Sequence, residues 1–365
     1  MQRRKFLRVA GVGTGLGLAG CSGGSDETTT DPRTDQTTQG VATTAPATTT
    51  TPEGPRYRNP VFEPILADPT LIRTDDGTFY AYGTEDNWHD GEGPRVAPTV
   101  RSEDLVEWEY VGEAFDSKPD WKENGYIWAP EVERIDGEWI MYYAYSEWGD
   151  ENPGIGVATA DSPEGSFTDQ GKLFDSESIG VDNSIDPFYY EDDGTPYLFW
   201  GSFNGIHGIE LSADGRSLAG EKFQIAGDRY EAAYIFKREG TYYLMVSSGS
   251  CCDGPMTTYQ VEVGRSESLR GPYVNHVGDE LSNYPGRIVV GEGEQFDGPG
   301  HNTMAVDDAG NRWLVYHAYD RDEYWIRNTP RRPMLIDPIE WVDGWPQVPG
   351  QTPNVSGPAP EIDGA

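Results

Sequence analysis

Cysteine is scarce in this 365-residue chain, which has only three. Cys21 stands alone and Cys251 and Cys252 are adjacent, so neither a disulfide framework nor zinc-ligand spacing can be built from them. The adjacent pair reads equally as a vicinal disulfide or as two buried thiols. Lysine is scarce as well, and the 62 acidic residues against 27 basic ones give a net charge of −35. Such a surface excludes nucleic acid and anionic lipid as partners. The carboxylates are scattered along the chain, as in proteins of extreme halophiles, where concentrated salt screens self-repulsion. An ordinary acidic secreted protein is the simpler alternative. Long apolar runs are missing too. The run from Phe6 to Gly20 is too short and glycine-rich for a permanent membrane span. It follows Arg3-Arg4, which reads as a twin-arginine export signal, and it ends in Leu-Ala-Gly-Cys21, which resembles a lipobox. Residues 1–21 are therefore expected to be a lipoprotein-type signal, with a plain secretory signal as the alternative. Residues 22–55 lack large apolar side chains and are expected to form a disordered Thr/Pro-rich stalk. The expected location is extracellular, with a lipid on Cys21 as the only link to the outer face of the membrane.

No long stretch keeps a helical period. What the sequence has instead is one phrase, written five times. "DPTLIRTDDGTFYAYGT" starts at Asp68 and returns as "APEVERIDGEWIMYYAYS" from Ala129 and "DPFYYEDDGTPYLFWGS" from Asp186. It returns again as "EAAYIFKREGTYYLMVSSG" from Glu231 and "HNTMAVDDAGNRWLVYHAYD" from His301. Each copy holds a few apolar residues, a polar turn ending in glycine (Gly77, Gly137, Gly194, Gly240, Gly310) and an aromatic, β-branched segment. That is a β-hairpin, since such turns supply the left-handed backbone a tight reversal needs. Strand-like pieces between the hairpins, such as "IGVATADSP" from Ile155 and "YQVEVGRSES" from Tyr259, bring each unit to about four strands. Four-stranded units in series predict an all-β, five-bladed β-propeller over residues 56–350, with 351–365 as a tail. A sandwich or β-helix is the alternative, but a sandwich would not repeat one phrase five times.

The first residue of each unit occupies a matching position: Asp68, Ala129, Asp186, Glu231, His301. If that position faces the propeller axis, three carboxylates and an imidazole converge. Folding does not demand this, because like charges brought together cost free energy. Asp before Pro as a simple turn opener explains one such residue but not three acids in register.

Several motifs resemble glycoside hydrolase family 43, especially its arabinan-cleaving branch: "ADPTLIRTDDG", "WAPEV", "IDPFYYEDDGTPYLFWGSF", "YEAAYIFKREGTYYLMVSSGSCC", "GPGHNTM" and "GWPQVPG". The resemblance implies a five-bladed propeller and an inverting hydrolase. It implies that Asp68 is the general base, Glu231 the general acid and Asp186 the modulator of the acid's pKa. It implies a calcium or other ion near His301, which otherwise reads as a hydrogen-bonded core histidine, and no organic cofactor. Trp128, Trp148 and Asn183 resemble sugar-contacting residues of the family, with packing or a turn as the plainer reading of each. Two positions depart from the family pattern. Ala67 stands where a histidine often precedes the base, and Ala233 stands where a proline often follows the acid. Cys251-Cys252 and "SFNGIHGIEL" from Ser202 favour the arabinanase branch over β-xylosidases. The expected partner is arabinan or an arabino- or xylo-oligosaccharide, acted on by a monomer with endo action. An exo-acting α-L-arabinofuranosidase or β-xylosidase on the same scaffold and a non-catalytic sugar-binding propeller are the competing readings.

Overall fold

The structure, a computed structural model, describes residues 54–363, so the expected signal and nearly all of the expected stalk lie outside the described residues. The five repeated hairpins become the inner halves of five antiparallel sheets. The first blade runs Thr70–Arg73, Phe79–Tyr82, Pro98–Ser102, Glu109–Glu113, and the second Tyr126–Ile135, Glu138–Ser146, Gly154–Ala160, Thr168–Asp175. The third runs Phe188–Asp192, Thr195–Trp200, Ile206–Glu210, Phe223–Ala226, and the fourth Tyr230–Arg238, Thr241–Ser248, Gln260–Ser266, Arg287–Val290. The fifth blade has three long strands, Phe296–Val306, Arg312–Asp320 and Met334–Pro338.

The turns follow the sequence closely. All five turn glycines have positive φ. In the second, third and fourth blades the preceding residue, Asp136, Asp193 or Glu239, is also left-handed. The flanking pairs Ile135–Glu138, Asp192–Thr195 and Arg238–Thr241 close directly around these two residues, as in type I′ hairpins.

The strands do not alternate apolar and polar residues. Glu138–Ser146, for example, is buried at every position after the first. The reason is that each blade packs on both faces. The apolar clusters lie between consecutive blades: Ile72, Tyr82 and Met141 join the first to the second, and Tyr142, Leu198 and Trp200 the second to the third. Phe199 and Leu244 then join the third to the fourth, Met245 and Leu314 the fourth to the fifth, and Val315 and Ala81 the fifth to the first. The ring is thereby closed.

Closure uses both ends of the described chain, which corrects the expectation that 351–365 is a tail. The segment before the first blade lies along the last strand of the fifth: Val61 N–H donates to the Met334 carbonyl (2.9 Å) and Met334 N–H to that of Phe62 (3.1 Å). Arg56–Arg58 pairs with Ser356–Pro358. Beneath them the buried Asp337 accepts from Tyr57 (2.8 Å), Tyr316 (2.6 Å) and the Asn354 side-chain amide (2.7 Å). The sequence concealed this because residues 351–365 carry no hairpin phrase. Within them Asn354 satisfies a carboxyl brought there by the fifth blade. Ending the chain at residue 350 is expected to lower stability by about 2–4 kcal/mol, since several buried hydrogen bonds are lost and Asp337 is left short of a donor. Urea denaturation of the two forms checks this.

Candidate active site

The site begins with an uncommon backbone. Asp68, Ala129, Asp186 and His301 all lie at φ between 40 and 59°. In the fourth blade this conformation falls on Ala232, at φ 54°, not on Glu231. Glu231 is thus one residue out of register with the other blade openers, a correction to the alignment of the five units. The left-handed residue costs about 1–2 kcal/mol wherever it is not glycine. The inner strands also shift register between Trp128 and Glu131, Glu231 and Tyr234, and Gly300 and Thr303.

The preceding blade stabilises four of these five openings. Asp68 N–H donates to His317 Nδ1 (3.0 Å), Ala129 N–H to Thr84 Oγ1 (2.9 Å) and His301 N–H to Ser247 Oγ (2.8 Å), while Ala232 N–H meets the Asp186 carboxyl. The same side chain that fastens one blade to the next therefore sets the direction of a site residue.

The three carboxyls sit in different fields. Burial alone would raise the pKa of Asp68. The Arg332 guanidinium (3.1 Å) and His301 (3.3 Å) outweigh it and hold the carboxyl well below the usual range, while Thr84 donates to Oδ2 at 2.6 Å. His317 Nδ1 also lies 3.3 Å from Asp68 Oδ1, but it is no ion pair. That nitrogen already accepts the Asp68 amide, and burial keeps the ring neutral. His301 is the charged partner. Burial lowers its pKa, but Asp68 above all, with Asp186 and Glu231, pushes it up to about 9.

Asp186 is pushed up to about 8 by burial, with the charges of Glu231 and Asp68 adding and His301 opposing. Glu231 is raised by burial as well, but less freely. Tyr259 donates to Oε1 (2.6 Å) and Ser202 to Oε2 (2.7 Å), and both favour the charged form. Both carboxyls are thus raised, Asp186 with fewer hydrogen-bond donors to oppose the shift.

Other buried carboxyls are raised by burial too: Glu131 to about 8, Asp86 and Glu133 to about 7, and Asp337 to about 6. A carboxyl whose folded pKa is raised contributes stability below its unfolded pKa and loses it as pH rises through the folded value. Stability is therefore expected to fall between pH 5 and 8, with each such group losing about 1.4 kcal/mol per pH unit of its titration. Melting temperatures across that range check the sign, and a rise towards pH 8 would contradict it.

Asp68, Asp186, Glu231 and His301 line one solvent-open cavity of ≈ 390 Å³, and so do Trp128, Trp148 and Asn183. Every site residue expected from the sequence is thus brought together. Trp148 is 80% exposed, and its ring centroid lies 5.7 Å from that of Trp128. Asn183 donates from Nδ2 to the Ser202 carbonyl (3.1 Å), which leaves its side-chain oxygen as an acceptor. Cys251 and Cys252 form a disulfide and line the same cavity. Sequence reasoning missed Arg332, Thr84, Ser202, Tyr259 and His317. None of them opens a blade, and only their contacts mark them. Ala67 is fully buried, and its carbonyl accepts the amide of Thr84 (2.9 Å).

Among the described residues no three His, Cys, Asp or Glu side chains converge as a metal cage. The protein donors fit only an ion held by His301 and water. With Nδ1 facing Asp68, Nε2 is the nitrogen left to ligate, and an ion there would take the place of the Nε2 proton, its charge replacing that of the imidazolium beside Asp68.

An open funnel with one carboxyl held ionised by a guanidinium and two more raised by burial, beside the half-buried Trp128 and the exposed Trp148, defines a glycoside hydrolase. Residues 57–346 match the model of glycosyl hydrolases family 43, and the chain belongs to that family. It is 33% identical, over 77% of its length and 87% of the relative's, to the extracellular endo-α-(1→5)-L-arabinanase 1 of Bacillus subtilis. It is 29% identical to the extracellular exo-α-(1→5)-L-arabinofuranosidase ArbA of Cellvibrio japonicus, over 77% of this chain and 85% of that one. Among solved structures, the Cellvibrio cellulosa α-L-arabinanase complexed with arabinohexaose superposes with a TM-score of 0.68 at 28% identity, covering 78% of this chain and 96% of the other.

Proposed function

We propose that this chain hydrolyses the α-1,5-L-arabinofuranosidic linkages of arabinan by a single displacement with inversion, acting within the polymer. The observation that carries the reading is that three carboxyls line one cavity and only Asp68 among them is ion-paired to a guanidinium, that of Arg332. Asp68, held ionised by Arg332 and His301, suits a general base that draws a proton from the attacking water. Glu231 is the general acid that protonates the leaving oxygen. Asp186 shares its proton and, once ionised, raises the pKa of Glu231. The Ser202 hydroxyl at Oε2 can turn from donor to acceptor, so it serves either state of Glu231.

Trp128, Trp148 and Asn183 are assigned to the sugar, the first two through their ring faces. The similarity to an endo-acting Bacillus subtilis enzyme supports endo action, whereas the Cellvibrio japonicus relative keeps an exo-acting reading in play. Debranched arabinan is the test. A ladder of oligosaccharides is the expected product, arabinose alone would replace the endo reading by the exo one, and no product would remove both. Running the assay in low and in high salt tests the halophilic reading, which predicts higher activity in salt.

The names of these two relatives include the word extracellular, which supports export of this chain, and a lipid on Cys21 and a monomeric state belong to the proposal on the sequence alone. An ion held by His301 and water belongs to the same proposal. EDTA is expected to lower activity and calcium to restore it, and unchanged activity after metal removal is verified would exclude an essential ion.

A further inference from the structure

The Cys251–Cys252 disulfide takes no part in the acid–base chemistry, yet it lines the same cavity as Asp68, Glu231 and the two tryptophans. It sits on the loop between the fourth blade's strands Thr241–Ser248 and Gln260–Ser266. The second and fourth blades are separated by the third, so the disulfide and the Trp128–Trp148 pair bound the cavity from different sides.

The loop is held firmly. Ser250 N–H donates to Thr258 Oγ1 (3.1 Å), and Thr257 Oγ1 donates to the Ser250 carbonyl (2.7 Å). Gly254, at φ 54°, lies so close to Trp325 that a Cβ there would come within 2.6 Å of the indole. Both cysteines are only half-buried, so the sulfurs are not consumed by the core. A vicinal disulfide between residues so near in sequence closes almost no loop, and so adds little to stability by restricting the unfolded chain. Sulfur is a weak hydrogen bonder and a strong dispersion partner. This stretch of wall therefore offers a sugar's C–H face a rigid apolar contact.

We propose that the oxidised Cys251–Cys252 pair is a substrate-contacting wall of the cavity, a shelf for an arabinofuranose ring, and that reducing it weakens substrate binding while leaving the chemical step intact. The inference rests on the arabinan reading above. A dithiol carries out the reduction. Its two thiols become its own disulfide, and the two electrons and two protons open the Sγ–Sγ bond to two free thiols. The thiol side chains then rotate separately, and the wall loses its fixed shape.

The test uses the full chain, with dithiothreitol as reductant and thiol titration to verify that the bond has opened. Reduction is expected to raise KM for debranched arabinan roughly tenfold with little change in kcat, and reoxidation should reverse it. The paired Cys251→Ser and Cys252→Ser variant should show the raised KM from the start and ignore the reductant. Tryptophan fluorescence on titration with arabino-oligosaccharide, in a Glu231→Gln background, should report the same loss of affinity without turnover. Unchanged KM and affinity after verified reduction would overturn the proposal. So would a fall in melting temperature large enough to account for the loss, because that assigns the bond a structural role. If the oxidised wild type cleaves arabinan and ignores redox state, only this inference fails. If it neither cleaves nor binds arabinan, the functional reading fails with it.

Discussion

Glu231→Gln is expected to lower kcat on arabinan by about a hundred- to ten-thousand-fold, because the variant cannot protonate the leaving oxygen. The loss should shrink on an aryl arabinofuranoside whose leaving group departs as a stable anion and needs no proton. Asp68→Asn should lose activity equally on both substrates, since each requires water to be deprotonated. Neither variant is expected to unfold, but Asp68→Asn leaves Arg332 with Asp86 alone and should melt lower than the parent. Removing Glu231's charge relieves a buried repulsion with Asp186 and Asp68, so the melting temperature should hold or rise. Steady-state kinetics on the two substrates, with melting curves alongside, check all of this. Full activity in Asp68→Asn, or equal losses on both substrates in Glu231→Gln, would remove the assigned roles.

Arg332→Met should be the most damaging change among residues that do not open a blade. The guanidinium is buried, 3.1 Å from Asp68 and 3.4 Å from Asp86. Breaking a buried ion pair from one side costs about 3–5 kcal/mol, because the stranded carboxylates keep their desolvation penalty. The pH profile should change as well. The base must be ionised, so activity is lost as pH falls through its pKa. Without Arg332, the burial of Asp68 is less opposed and that pKa rises, which moves the acid limb towards neutrality. Arg332→Lys should keep most of the limb's position. Urea denaturation gives the stability term and kcat/KM against pH gives the limb. An acid limb unmoved in Arg332→Met would mean that Arg332 does not set the ionisation of Asp68.

The departures from the sequence reading share a cause. Glu231 matches Asp68 in its distance from the turn glycine, but the left-handed residue stands nine positions before that glycine only in the first and fifth blades and eight in the second, third and fourth, so the counterpart of Asp68 is Ala232. A one-residue difference in hairpin length leaves the apolar pattern around it unaltered, so no periodicity could reveal it. Arg332 precedes the last strand of the fifth blade and looks like any basic residue next to a proline. Its meaning comes from Asp68, 264 residues away, and from Asp86, 246 residues away. Residues 356–358 looked dispensable for the same reason, their partner strand being Arg56–Arg58 at the far end of the domain.

The sequence by itself determined the repeating hairpin and its left-handed turns, because glycine after an acidic residue is a local conformational constraint. It also determined the number of blades and the identity of the three acids, because both are written in the order of the letters. Only the tertiary structure decided which of those acids is ionised. Asp68 and Asp186 open their blades with the same Asp-Pro and the same left-handed backbone, yet one is held well below the ordinary carboxylate range and the other is pushed up to about 8. The difference lies in Arg332 and Glu231, side chains brought from other blades, and closing the ring is what places a cation beside one carboxyl and an anion beside the other.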